Sequence, residues 1–320
     1  MKWKCVNNEF RIRRKKNCLF YMDPELFYTI ETKVKKILGF KSSFTNLGYR
    51  PSYFEEEEFP SEPETKKSWT LSGLSKRSLD VFDHYGRMLY MKVGSMVNMR
   101  NKKVLEIGSG KGAGTHCIYK EYEPNSITGM DLTPKHVETA QALYAEEGIE
   151  FVQGDACEIS TEYENKYDIV LNVESSHCYP DFERFIQEVK KVLKSKGEFV
   201  MCDFREKHKI PWIIESLERN GFEITRKEDW GYNVGASAER WKFPKRFCGI
   251  FATLFFMLRI PHIFSYKSDY INSLDESTNA LVYPWELYNF SKAYFGKSPI
   301  WHLLKKDKCS YVAIVATIKK

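Results

Sequence analysis

From Lys103 onward, short uninterrupted apolar runs alternate with longer stretches in which apolar residues recur every three or four positions. The runs Lys103–Ile107, Ser126–Met130, Glu150–Gln153, Tyr167–Asn172, Gly197–Asp203, Phe222–Lys227 and Ser310–Ile318 read as strands. Thr115–Glu121, Pro134–Glu146 (with Gly148 as its C-cap), Phe182–Leu193 and Pro211–Asn220 (stopped by Gly221) read as helices. Strands that alternate with helices imply an α/β, doubly wound, mainly parallel sheet covered on both faces. Upstream, Leu74, Leu79, Phe82, Leu89 and Val93 give Leu71–Val97 a helical period, and Glu25–Phe40 shows another. The acidic, proline-bearing run Glu55–Glu64 reads as a loop or linker. Asp229–Cys309 is too long for a hairpin and is expected to form a helical lid inserted before the last strand.

The chemistry collects at the ends of the strands. KVLEIGSGKGAG (Lys103–Gly114) is a strand that breaks into a glycine turn and restarts as a helix. Glycines there bring bare backbone against a ligand, and the helix N-terminus offers free N–H groups to a carboxylate or phosphate. Asp131 ends the second strand, about twenty residues beyond the turn, where a βαβ unit presents an acid to a ribose diol. It also reads as a cap for the helix at Pro134. Gly154-Asp155-Ala156 follows the third strand and Asn172-Val173-Glu174-Ser175-Ser176-His177 closes the fourth. Ligands bind at these carboxyl edges in open α/β sheets.

VLEIGSGKGAG, GMDLTP, FVQGDA and NVESSHCYPDFERFIQEVKKVLKSKGEFVMCDF resemble the successive motifs of class I S-adenosylmethionine-dependent methyltransferases, densely over Lys103–Phe204. The branch resembled is that of phthiotriol dimycocerosate methyltransferases and, more distantly, sugar and macrolide O-methyltransferases and tocopherol-type C-methyltransferases. The resemblance implies a Rossmann-like seven-stranded sheet of order 3-2-1-4-5-7-6 with strand seven antiparallel. It divides the chain into an N-terminal arm and loop (1–68), a cofactor-binding core (69–228), a lid (229–309) and the last core strand (310–320).

It also implies S-adenosyl-L-methionine as cofactor. Glu106, Gly108, Ser109 and Gly110 would line its methionine and ribose, Asp131 with Leu132 the ribose, Asp155 with Ala156 the adenine, and Asn172 the methionine end. Tyr49, in a matching Asn-Leu-Gly-Tyr pattern, joins this set. For a hydroxyl acceptor His177 would be the general base, oriented by Asp203, with Glu174 a further candidate. The plainer readings are that His177 caps the next helix and Asp203 is only a strand-end carboxylate.

Composition narrows the partners. The 320 residues carry a formal net charge of +6, which is too mild, without a cation-rich groove interleaved with aromatics, to argue for nucleic acid. None of the 8 cysteines shows C-x-x-C or zinc-ligand spacing, so no metal is expected and an intracellular, cytoplasmic setting is. Cys178 reads as a thiol lining the pocket. Met1–Lys16 holds 7 Lys/Arg with no apolar core behind them, unlike a secretory signal. Phe247–Leu258 is an apolar run of 12 residues, whereas a bilayer span needs about 20. It is either a buried lid helix or an interfacial helix in peripheral contact with a membrane.

Aromatic residues make up 15% of the chain, which suits an apolar small-molecule or lipid acceptor, or simply the packing of a lid. The leading reading is O-methylation of such an acceptor. Its rivals are C-methylation of a prenyl or sterol-like skeleton, a nicotinamide dinucleotide enzyme (Gly108-x-Gly110-x-x-Ala113 fits the relaxed pattern), and a non-catalytic lipid-binding relative.

Overall fold

In the computed structural model the described residues are 46, 48–52, 71–240 and 309–319, with backbone alone for 71–82 and 238–240. The expected basic arm, the helix over Glu25–Phe40, the acidic loop and the Phe247–Leu258 run lie outside them.

Seven strands form one sheet in the order β3-β2-β1-β4-β5-β7-β6. They are β1 (Lys103–Ile107), β2 (Ser126–Asp131), β3 (Ile149–Gln153), β4 (Tyr167–Val173), β5 (Leu193–Glu206), β6 (Phe222–Asp229) and β7 (Cys309–Ile318). The first five are mutually parallel, and β7 runs antiparallel to both β5 and β6. Val104, Leu105, Ile169, Val170 and Leu171 are all buried, as parallel strands covered on both faces require.

Among the described residues the α-helices are α1 (Leu71–Gly94), α2 (Ala113–Tyr122), α3 (Pro134–Tyr144), α4 (Phe182–Val192), α5 (Ile210–Arg219) and α6 (Gly231–Arg240). One core cluster joins residues of α1, α2, α3 and α6 to one face of the sheet, and a second joins α4 and α5 to the other. Helix α4 shows how the sequence specifies this. Asp181 caps it by accepting from Arg184 N at 2.9 Å, and Phe185, Ile186, Val189 and Val192 form its buried stripe. Glycine at 112 is required twice over: its φ is +84°, and a Cβ would lie 2.7 Å from the Phe151 ring and 2.8 Å from Ala140 Cβ.

Several boundaries differ from expectation. Helix α3 ends at Tyr144, and Gly148 is not its C-cap. Ala145 is extended, and Gly148 (φ +88°) instead serves the tight turn closed by a Glu146–Ile149 bridge before β3. Strand β5 begins at Leu193 and runs on to Glu206, because β7 pairs with it as far as Cys309. The expected lid opens, within the described residues, with α6. No helix among the described residues is long and apolar enough to cross a membrane.

Strand order reverses between β1 and its two neighbours, β2 and β4. The crevice at their carboxyl ends is therefore the topological switch point of the sheet.

Candidate active site

The loop after β1 is fastened to β2 by backbone alone: Gly108 N and Ser109 N donate to Met130 O at 2.8 and 3.0 Å. Gly110 N then donates to Asp131 Oδ2 at 2.8 Å. The other oxygen, Oδ1, accepts from Thr133 N at 2.9 Å and lies 3.1 Å from His136 Nδ1. Burial opposes ionisation of Asp131, but the His136 contact and these backbone donors win and hold its carboxyl below the usual range. The N-cap of α3 is Thr133, and Asp131 supports that turn and the glycine loop together. Leu132 beside it is exposed.

Beneath the loop, Glu106 is fully buried and accepts from Tyr90 Oη at 2.7 Å and Thr115 Oγ1 at 2.5 Å. Burial pushes its carboxyl up to about 7, while those two hydrogen bonds pull it back. Between its ordinary value of 4.5 and about 7 the folded chain keeps a proton that the unfolded chain has released, so this group makes stability fall as pH rises. Glu106→Gln is therefore expected to gain on the parent protein, by on the order of 3 kcal/mol, between pH 4 and 8. Parallel denaturation curves at the two pH values check this; a constant difference refutes it.

Asn172 occupies the crevice between β1 and β4. Its Nδ2 lies 2.9 Å from Ile107 O, 2.8 Å from Ser175 Oγ and 3.0 Å from Tyr179 Oη. Its Oδ1 is buried with no hydrogen-bond partner among the described residues. Gly108 (φ +81°) borders the same space, and a Cβ there would collide with Ser175 and meet Tyr179 Oη at 3.0 Å.

His177 sits in a single 3-10 turn (Ser176–Cys178) after β4, its side chain 26% exposed. Nδ1 lies 2.9 Å from Asp203 Oδ1 on β5, and its backbone N donates to Oδ2 at 3.0 Å. Burial works against a charged imidazole, but the Asp203 carboxylate prevails and raises its pKa to about 10. Asp203 is fully buried, yet His177 and Arg205 hold its carboxyl down at about 2.

The remaining candidates are placed differently. Glu174 has a left-handed backbone (φ +49°), and its charge acts on Tyr90, Cys202 and Tyr311. Asp155 is engaged locally, accepting from Cys157 N at 2.8 Å beside buried Ala156. Tyr49 is buried, bonds through its N–H to Tyr85 O at 2.9 Å, and packs edge-on to Trp230. Cys178 is an exposed free thiol.

Sequence reasoning missed Tyr90 and Thr115 on Glu106, and His136 on Asp131. The last had a signal: a histidine in the first turn of the helix that Asp131 precedes. No group of His, Cys, Asp and Glu among the described residues could hold a metal ion. A cavity of about 220 Å³ opens at the other edge of the sheet, lined by the strand starts Lys103, Ser126, Ile149 and Tyr167, and contains none of the candidate residues.

Comparison with known proteins agrees with this arrangement. Residues 98–242 match a family described as a methyltransferase domain. That segment is similar to a methyltransferase domain. Over 141 residues it is 34% identical to the phthiotriol/phenolphthiotriol dimycocerosates methyltransferase of Mycobacterium leprae (44% of this chain, 52% of that protein). Over 139 residues it is 36% identical to the fatty-acid O-methyltransferase of Mycolicibacterium smegmatis (43% of this chain, 50% of that protein). The chain thus spans about half the length of the curated relatives it matches. Among solved structures, the cyclase SpnF superimposes with a TM-score of 0.60 at 14% identity, covering 92% of this chain and 96% of its own. At that identity the likeness concerns the fold, which hosts more than one chemistry. All the candidate residues except Tyr49 fall inside the matched segment.

Proposed function

We propose that the chain transfers a methyl group from S-adenosylmethionine to a hydroxyl of an apolar small molecule or lipid, with His177 as general base. The observation that carries this reading is the part-exposed His177 imidazole held through Nδ1 by a buried carboxylate, next to the switch-point crevice.

The residues present fit the cofactor. The glycine turn and Asn172 share the crevice between β1 and β4, and Asn172 Oδ1 there is a buried acceptor with no hydrogen-bond partner among the described residues. Gly108, Ser109 and Gly110 would hold the aminoacyl end with Asn172, Asp131 with Leu132 the ribose, and Asp155 and Ala156 the adenine. Glu106, buried beneath the loop, would act on the ammonium group by charge through the loop backbone. When bound, the cofactor supplies an activated methyl on a positively charged sulfur.

The chain's own part is alignment and proton handling. Nδ1 is committed to Asp203, which leaves Nε2 to take the proton from an acceptor hydroxyl. In the free protein the imidazole is protonated at neutral pH. A positive charge brought into the crevice would oppose the imidazolium and lower that pKa, the direction that favours His177 as proton acceptor in the loaded enzyme. A carboxylic acid acceptor is already ionised at neutral pH and needs no base, so the His177–Asp203 pair favours a hydroxyl. The apolar class follows the two mycobacterial relatives, whose names specify dimycocerosates and a fatty acid. The five described cysteines are free thiols, which supports a reducing, intracellular setting.

Incubation with methyl-labelled cofactor and lipid extracts tests the proposal. Label is expected in the organic phase on an oxygen-bound methyl. Label on carbon selects the C-methyl reading. Tight cofactor binding without transfer to any extract, between pH 7 and 9, overturns catalysis.

A further inference from the structure

Asp203 serves more than His177. Oδ1 accepts from His177 Nδ1 and Phe204 N, both at 2.9 Å. Oδ2 accepts from Ser176 Oγ at 2.8 Å and from His177 N at 3.0 Å, and it pairs with Arg205 Nη1 at 2.9 Å. The guanidinium is itself fixed. Its Nη2 donates to Ser176 Oγ at 2.7 Å, its Nη1 to Phe204 O at 2.8 Å, and its side chain is 10% exposed. Asp203 and Arg205 are two apart on β5, so they share a face of the sheet. One buried carboxylate thus lies between two cationic partners, one on each oxygen.

From this geometry we propose that Arg205 is a positioning residue that divides the Asp203 carboxylate with His177 and so sets how readily the imidazole gives and takes its proton. A buried carboxylate facing a lone imidazolium would hold that proton tightly. A second cation on the opposite oxygen draws off part of the negative charge and repels the imidazolium. Ser176 locks the arrangement by contacting both the guanidinium and the carboxylate.

The other titratable groups packed here are Cys202 on β5, Tyr179 behind the turn and Tyr311 on β7. Burial first, then neighbouring carboxylates, raises each of them, so they stay neutral while His177 titrates. After Asp203, the Cys178 side chain also raises the His177 pKa by hydrogen bond and charge, and the charge of Glu174 acts on Cys202 and Tyr311. Arg205 is the cation that faces Asp203 opposite the imidazole.

The kinetic half of this inference rests on His177 being the base; the titration half does not. Carbon-13 resonances of His177 should be followed from pH 6 to 11 in the full chain and in Arg205→Gln and Arg205→Lys, alongside the pH dependence of turnover. In Arg205→Gln the His177 midpoint is expected to rise by about one pH unit, with turnover near pH 7.5 falling about ten-fold. Arg205→Lys, which keeps the charge, should restore most of both. An unmoved or lowered midpoint overturns the proposal. A raised midpoint with unchanged turnover upholds Arg205's hold on the pair and removes the base role from His177. Should Arg205→Gln not fold, Ser176→Ala frees the same guanidinium and is expected to move the midpoint the same way by less; no movement there also overturns the proposal.

Discussion

Replacing His177 by alanine is expected to lower turnover about 10²- to 10⁴-fold, the usual worth of a positioned base, while calorimetry finds cofactor affinity essentially unchanged. The two readouts separate because His177 lies after β4 and is paired with Asp203 on β5, whereas the glycine loop and Asp131 lie on the β1–β2 side. Turnover of the parent protein should climb with pH as the imidazole sheds its proton, and the alanine variant should lose that dependence. Near-normal turnover in the variant would end the base assignment.

The pair also shapes stability. His177, raised to about 10, contributes fully below its ordinary value of 6.5 and loses that contribution as pH climbs through about 10. Asp203, depressed to about 2, contributes above its ordinary 3.8 and loses it as pH falls through about 2. Thermal melts should therefore show His177→Ala most destabilised between about pH 4 and 6.5, with the deficit shrinking at higher pH.

Asp131→Ala carries the second large effect: calorimetric affinity for S-adenosylmethionine should fall about ten- to hundred-fold, the worth of 1.5–3 kcal/mol for a charged hydrogen bond. A carboxylate offers about four acceptor positions. Gly110 N, Thr133 N and His136 take three of them, which leaves one for a ribose hydroxyl. Removal therefore costs a ligand contact and also loosens the loop that frames it. Asp131→Asn keeps an oxygen for one backbone donor and should fall between parent and alanine. Unchanged affinity in the alanine variant would remove Asp131 from cofactor recognition.

The first five strands were legible because burial on both faces makes each a compact apolar run, and Pro134 and Gly221 marked real element ends. Their polar tips were legible for the same reason: an acid or amide that abruptly closes such a run stands at a strand edge. Gly148 misled because a glycine with positive φ serves a tight turn as well as a helix end. The length of β5 was hidden because Arg205 and Glu206 are polar, and only pairing with β7 keeps them extended. Partners drawn from distant segments were equally hidden. Tyr90 reaches Glu106 from α1, outside the glycine motif, and nothing local marks it. Arg205 left a trace, a cation two positions beyond an acid on a strand, but its meaning depends on what packs across that face.

Strand β7 sits between β5 and β6, and among the described residues β6 pairs with no other strand. On a ribosome, β6 is made some eighty residues before its partner. Until Cys309–Ile318 emerges, β5 and β6 both lack the strand that joins them. The sheet can therefore close only after the residues between β6 and β7 have been made, with these hydrogen-bonding groups exposed until then. A stalled or shortened chain lacking that final strand should be a substrate for chaperones rather than a smaller working protein.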